Sequence, residues 1–407
     1  MMRRAWLAPV RRLPAEILSD IFIFCRDLDH FSPLIISNVN RMWRRVVLTT
    51  PRAWSMIYLD SARSHKHMLK YVSTYVERSD PYFLHIFLPR YGTDIYSDGT
   101  NERIGRSLER IILSHSNRLK CIFTFSEQLK MFNHKGFQNL TRLLLDGAMK
   151  VKISFFDSSR FPQLRVLVLS GEVNIATDPN TPIDIAFPRL QHLAVNDCDH
   201  DSSWITLVEH CSATLKGLSV FDLYEHTDFS QITIHFPILE YLMLRPYPDE
   251  SPQTWPINAI TPSLLYYAEM MDDIVTPFIG HTDLKAVTHL RMRAVPRLEG
   301  YPSLRTLQIR FDWSSYASDS TFVAQLERND DVSPALSHIE VYIPEYQYPP
   351  GSLALTSVRS WIEIQFKEAR PHATISFPNR MTPLPGSLED IMCGFSMPCG
   401  AFWMNVI

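Results

Sequence analysis

The sequence predicts an α plus α/β chain: a short three-helix unit at the N-terminus, then an irregular solenoid built on a curved parallel sheet. Three observations carry this. Residues 11–60 hold proline-opened segments whose apolar residues recur at helical spacing. From residue 137 a leucine-bearing phrase returns about every 25 residues. The composition is that of a folded chain: of 407 residues, 45% are hydrophobic and 12% aromatic, ample for a large core and far from the signature of disorder.

The helical unit opens in RRLPAEILSDIFIFC, residues 11–25. Pro14 suits a first helical turn, where its missing N–H costs nothing and its φ is already helical. Ile17, Leu18, Ile21, Phe22 and Cys25 then draw one apolar stripe. Ser32-Pro33 repeats the start signal, and Ile36, Val39, Trp43 and Val46 continue the period along a second helix. Thr50-Pro51 opens a third short turn carrying Trp54. As packing alone, these helices cap a larger domain; as a surface, they are a handle for another protein.

LPAEILSDIF, followed by Val39 and Trp43 and then by TPRAWS, resembles the F-box, and more closely the F-box-like segment of fungi. The resemblance covers about residues 12 to 60. It implies that the helices dock on the adaptor subunit of a cullin-based, SCF-type ubiquitin ligase. Matched position by position, the adaptor contacts are Leu13, Pro14, Ile17, Leu18, Ile21, Val39 and Trp43. The chain departs from that pattern in a short charged link, Arg26 to Phe31, and in Ala53, where the family more often has leucine.

The recurring phrase runs FQNLTRLLLDG, FPQLRVLVLSG, FPRLQHLAVND, ATLKGLSVFD, FPILEYLMLRP, TPSLLYYAEM, YPSLRTLQIRF. Its leading leucines at 140, 164, 190, 215, 239 and 264 are separated by 24, 26, 25, 24 and 25 residues. A fixed period in this range, with L-x-x-L-x-L at its centre, is that of leucine-rich repeats. One unit cannot bury its inward side chains alone, whereas stacked units share a continuous core. Leu167, Leu193, Leu218 and Leu242 are expected in one buried column, with Leu144, Val168 and Met243 facing the open side. Looser repeats flank this block at Ile57, Ile86, Ile122, Leu290, Leu307 and Ile339. Helices are expected through Met68 to Val76 and Ile104 to Ile111, and near 319–329 and 357–369. Aromatic-Pro pairs such as Phe161-Pro162 precede the strands, where proline does not disturb the ladder. The expected sheet has roughly ten to twelve strands and a length on the order of 50 Å. The predicted division is an extension over 1–11, the helical unit over 12–60, repeats over 54–370 and a cap or tail over 371–407. Trp54 belongs to both of the middle parts, which implies a rigid coupling between them.

Net charge is −3, from 40 basic and 43 acidic residues, so no global field points to nucleic acid or an anionic membrane. The apolar run Ala5–Val10 is too short for a signal peptide, and no apolar run reaches membrane-spanning length. Six scattered cysteines fit a reducing compartment, cytoplasmic or nuclear. The chain carries no G-x-S-x-G, no G-x-x-x-x-G-K-[ST], no H-E-x-x-H and no G-x-G-x-x-G, so no enzyme activity, cofactor or metal is expected. Cys198, His200, His210 and Cys211 have zinc-ligand chemistry, but their places in the repeat read as packing.

The concave face is what remains for recognition. The positions flanking the inward leucines gather arginine and tyrosine in the later repeats: Tyr241, Arg245, His289, Arg291, Arg293, Arg310 and Tyr342. Such a face is either a solvated exterior or a groove for an acidic or phosphorylated protein substrate, since arginine pairs bidentately with carboxylate and phosphate. Joined to the resemblance, this gives the expected function. The chain would be a non-catalytic substrate receptor of a ubiquitin ligase, or a scaffold that binds the adaptor without delivering substrates.

Overall fold

The structure, a computed structural model, describes residues 13–59, 65–88, 99–125, 136–147, 149–170, 173–176, 189–196, 203–223, 232–246, 257–269, 284–292, 298–311, 333–344, 352–379, 381–384 and 387. Among them are seven α-helices and seventeen strands, thirteen of which form one large parallel sheet. The described residues fall into two compact units, one within Met1–Met149 and Ser154–Val168, the other within Lys150–Ile153 and Leu169–Ile391. None of the described helices is long and apolar enough to cross a membrane.

The first unit begins with α1 (Ala15–Leu28), α2 (Ser32–Ser37) and α3 (Arg41–Leu48), followed by a 3-10 turn at Pro51–Trp54. The expected second helix is two. Asn40 takes an extended conformation, its side chain accepts a hydrogen bond from the Trp43 N–H, and α3 starts afresh behind that cap. After the turn come β1 (Met56–Tyr58), α4 (His65–Arg78), β2 (Leu84–Phe87), α5 (Gly99–Ser114), β3 (Leu119–Phe125) and β4 (Arg142–Asp146), while the residues of β5 (Met149–Lys152) and β6 (Val166–Ser170) are divided between the two units.

Bonds rather than a linker tie the helices to the 3-10 turn and to α4. The Trp54 indole is fully buried and donates to the Val47 carbonyl at 2.8 Å, while its ring meets that of Tyr75 edge-on at 5.0 Å. The Tyr75 hydroxyl donates to the His30 carbonyl at 2.9 Å. Arg26, buried on α1, donates to the Arg52 carbonyl at 2.6 Å and the Ser55 hydroxyl at 2.9 Å.

The second unit continues with β7 (Val173–Ala176), β8 (His192–Val195), α6 (Ser203–Cys211), β9 (Gly217–Leu223), β10 (Ile232–His235), β11 (Tyr241–Pro246), β12 (Ile257–Ile260) and β13 (Tyr266–Glu269). It ends with β14 (His289–Met292), β15 (Thr306–Arg310), β16 (His338–Tyr342), α7 (Leu353–Ala369) and β17 (Thr374–Ser376). Strands β8, β9, β11, β13, β14, β15, β16 and β17 are sheet neighbours in that order, while β10 pairs with β12 apart from them. The last strand, β17, lies where the sequence shows no repeat. The helix expected near 319–329 and the tail from 388 lie outside the described residues.

Register explains the leucine pattern. Leu193, Leu218, Leu242, Tyr267, Leu290, Leu307 and Ile339 are successive partners, every one of them buried. Their i+2 neighbours Val195, Val220, Leu244, Glu269, Met292, Ile309 and Val341 form a second buried row. The x-Pro pairs precede the strands, as expected, and each sits in a tight turn there. In Phe161-Pro162-Gln163-Leu164, Tyr301-Pro302-Ser303-Leu304, Thr261-Pro262-Ser263-Leu264 and Ser333-Pro334-Ala335-Leu336, the leucine N–H bonds the carbonyl three residues back, at 3.1 to 3.2 Å. Proline thus occupies the second position of a β-turn, which its fixed φ suits.

The opposite face of the sheet corrects the expectation of an open side. Leu144, Val168 and Met243 are 1%, 3% and 1% exposed. Parallel sheets are typically covered on both faces, and polar replacement at these positions would bury an unpartnered group.

Candidate partner-binding surfaces

Helix α1 divides the single stripe of the sequence into two faces. Leu18 and Phe22 are buried, and Phe22 packs on the Trp43 ring at 5.4 Å. Ile17, Ile21, Phe24 and Leu28, spaced by four, three and four residues, are 47%, 39%, 63% and 68% exposed. That spacing places them on one side of the helix. Ile35, Val39, Met42 and Leu48 are exposed as well. Eight of the sixteen large apolar side chains found exposed among the described residues therefore lie between Ile17 and Leu48. Isolated exposed apolar residues are ordinary, but such a concentration marks an interaction surface.

Of the residues matched to adaptor contacts, Pro14, Ile17, Ile21 and Val39 are exposed, and Leu13 and Trp43 are half-buried. Leu18 is a correction: it is fully buried, because at one step from Ile17 it turns about 100° to the other face. Phe24 and Leu28 were missed; an i, i+4, i+7, i+11 reading from Ile17 finds them.

The second surface is the sheet face of the late strands. Its central row reads Ala194, Ser219, Met243, Ala268, Arg291, Gln308, Glu340 and Ser376 in register. Small and apolar side chains on the earlier strands give way to a polar ladder on the later ones. Arg291 Nε donates to Gln308 Oε1 at 2.8 Å, and Gln308 Nε2 donates to Glu340 Oε2 at 2.8 Å. Glu340 Oε1 lies 3.3 Å from His338 Nε2, and His338 Nδ1 lies 2.8 Å from Thr374 Oγ1. Arg291 Nη2 and Gln308 Nε2 also converge on the carbonyl of Thr382, at 2.6 and 3.1 Å. The segment 381–384 therefore lies against this ladder.

The expected row of open arginines is corrected accordingly. Arg291 is 1% exposed, since its guanidinium is spent on Gln308 and on the main chain of Thr382. Tyr241 is also 1% exposed, with its hydroxyl on Met243 Sδ at 3.1 Å. Arg245 is half-buried over the Phe221 ring at 5.5 Å. His289 is half-buried between Tyr266, 4.9 Å away, and the Thr288 hydroxyl at 2.9 Å. Burial and then Arg305 push its pKa down, against a smaller opposing pull from Glu340. Arg310 and Tyr342 are half-buried register partners. Arg293 lies outside the described residues, as do Cys198 and His200. Cys211 is buried on α6, its thiol directed to the Leu207 carbonyl at 3.0 Å, and burial pushes that thiol up. Among the described residues no group of three or more His, Cys, Asp or Glu side chains could hold a metal ion.

No family model matches the chain, and no curated protein matches it.

Proposed function

We propose that the chain is the substrate-recognition subunit of an SCF-type ubiquitin ligase, its N-terminal helices an F-box that holds the adaptor and its leucine-rich repeats a solenoid that holds a protein substrate. The observation that carries this is the apolar side of α1, Ile17, Ile21, Phe24 and Leu28, exposed on a helix whose opposite side is sealed. Since these side chains are already partly buried, covering each by a partner contributes about half of the 1.5–3 kcal/mol that full burial gives. The chain does no chemistry in this reading; it raises the concentration of a substrate beside the ubiquitin-loaded enzyme. The setting is cytoplasmic or nuclear.

A second reading, an adaptor-binding scaffold that delivers no substrate, is favoured by one observation. The sheet face expected to take the substrate is covered at Arg291 by the chain's own segment.

The test is capture from cells followed by identification of the adaptor and cullin. Ile17→Asp with Ile21→Asp should abolish adaptor capture while the unfolding transition stays in place, because both side chains are exposed. Leu18 must be left alone, since a charge at a fully buried site unfolds the helix instead of testing the surface. Undiminished adaptor capture by the double variant sinks the F-box reading. Adaptor without cullin selects the scaffold.

A further inference from the structure

Segment 381–384 is not a regular element, yet it lies against the most polar stretch of the sheet. Burying an arginine is costly unless its donors are satisfied. Here Arg291 and Gln308 direct donors at one main-chain oxygen, the Thr382 carbonyl, at 2.6 and 3.1 Å. Recognition of a carbonyl reads backbone and so accepts many sequences. Two residues on, Leu384 is 1% exposed, and Ser387, whose N–H bonds the Leu384 carbonyl at 2.9 Å, is fully buried. The sequence between is M-T-P-L-P, residues 381–385. Prolines on both sides of the leucine limit the conformations of the free peptide, which lowers the entropy lost on docking.

We propose that the face of β14–β16 is a docking channel for an extended, proline-containing peptide, and that residues 381–384 occupy it as a built-in competitor. The partner offers a main-chain carbonyl to Arg291 and Gln308 and an apolar anchor two residues later. This rests on the proposed reading of the repeats as the protein-holding part, and it deepens that reading by naming a substrate feature. Adaptor capture by α1–α3 does not depend on it. The ladder Arg291–Gln308–Glu340–His338 fixes the two donors in place: each side chain is held by the next, so the channel is preorganised. A tethered competitor acts at an effective concentration in the millimolar range, so free peptides bind well only when the strap is released.

The probe is a fluorescein-labelled peptide of residues 377–391, and the protein is the full chain. The wild type should bind it weakly. Leu384→Asp in the protein, which removes the anchor of the strap, should bind the same peptide about ten-fold or more tightly, as a strap closed more than nine-tenths of the time requires. Adding Arg291→Met to that variant should lose the gain, and a peptide carrying Leu384→Asp should bind neither form. A folded Leu384→Asp chain that binds no better than wild type overturns the proposal. If Leu384→Asp does not fold, amide exchange in the unmodified chain decides. Peptide at about 1 mM should speed exchange across 381–384 by displacing the strap, and unchanged exchange overturns the proposal. Adaptor capture is scored on the same proteins. Its loss with peptide binding intact counts against the F-box reading alone, and its retention with peptide binding absent counts against the channel alone.

Discussion

His85 pairs in register with Met56 on β1 and Cys121 on β3, and Cys121 pairs with Arg142 on β4. Its ring is held neutral: burial first, then the charges of Arg26, Lys120 and Arg142, push its pKa down from 6.5 to about 3. The unfolded chain therefore binds one more proton than the folded chain between those two values. Stability contributed by His85 is present above the unfolded pKa and drains away as pH falls through that window. Denaturant titrations at about pH 7 and about pH 5.5 should differ by about 1 kcal/mol from this residue. His85→Gln should flatten that difference. The depressed pKa of His289 acts in the same direction and remains in the variant as an internal reference. An unchanged difference would mean that His85 is protonated within the fold.

At the scale of elements, one repeat departs from its neighbours. Where the flanking strands place Leu242 and Leu244, or Leu290 and Met292, strand β13 places Tyr267 and Glu269, fully inside. The Tyr267 hydroxyl donates to Glu269 Oε2, so two apolar rungs have become one hydrogen-bonded pair. The Glu269 charge, after burial, also pushes the phenol of Tyr301 up. A double-mutant cycle of Tyr267→Phe and Glu269→Leu should show a coupling of about 1–3 kcal/mol, because either change alone removes a hydrogen-bond partner from the other buried polar group and the second change then costs less. Coupling below about 0.5 kcal/mol would place the carboxylate's support elsewhere. TPSLLYYAEM was still legible as a strand, since period and turn outweigh the identity of two rungs. The same logic separates what the sequence disclosed from what it hid. Leucine spacing disclosed β4, β6, β8, β9, β11, β13 and β15, because each unit repeats its own burial problem. It hid β17, whose Thr374-Ile375-Ser376 has no leucine and is defined by pairing with β16. It hid the break at Asn40, where one side chain's hydrogen bond outweighs an unbroken apolar period. The apolar side of α1 was legible in residue type but not in direction. The covered state of Arg291 could not be read at all, since it depends on Thr382, 91 residues away.

For the molecule as a whole, that distance has a mechanical consequence. In the second unit each strand pairs with partners only 17 to 36 residues away, from Leu290 with Leu307 to Ile339 with Ile375. A chain so wired should come apart under tension strand by strand from its C-terminal end, in short steps. The contact between Arg291 and Thr382 changes the route of the load. A force applied at residue 384 reaches β14 and β15 through Thr382, whose carbonyl both Arg291 and Gln308 hold, before it loads β16, α7 and β17. Once both bonds break, the load falls on β17, whose pairing with β16 is the next to give. In an optical trap with one handle at residue 384, the first rupture of the wild type should therefore need a higher force than that of a variant carrying Arg291→Met and Gln308→Met. Equal first forces in the two proteins would show that no load passes through Arg291 and Gln308. Unequal ones would make segment 381–384 a fuse: pulling on it breaks the contact over β14 and β15 before any strand is lost.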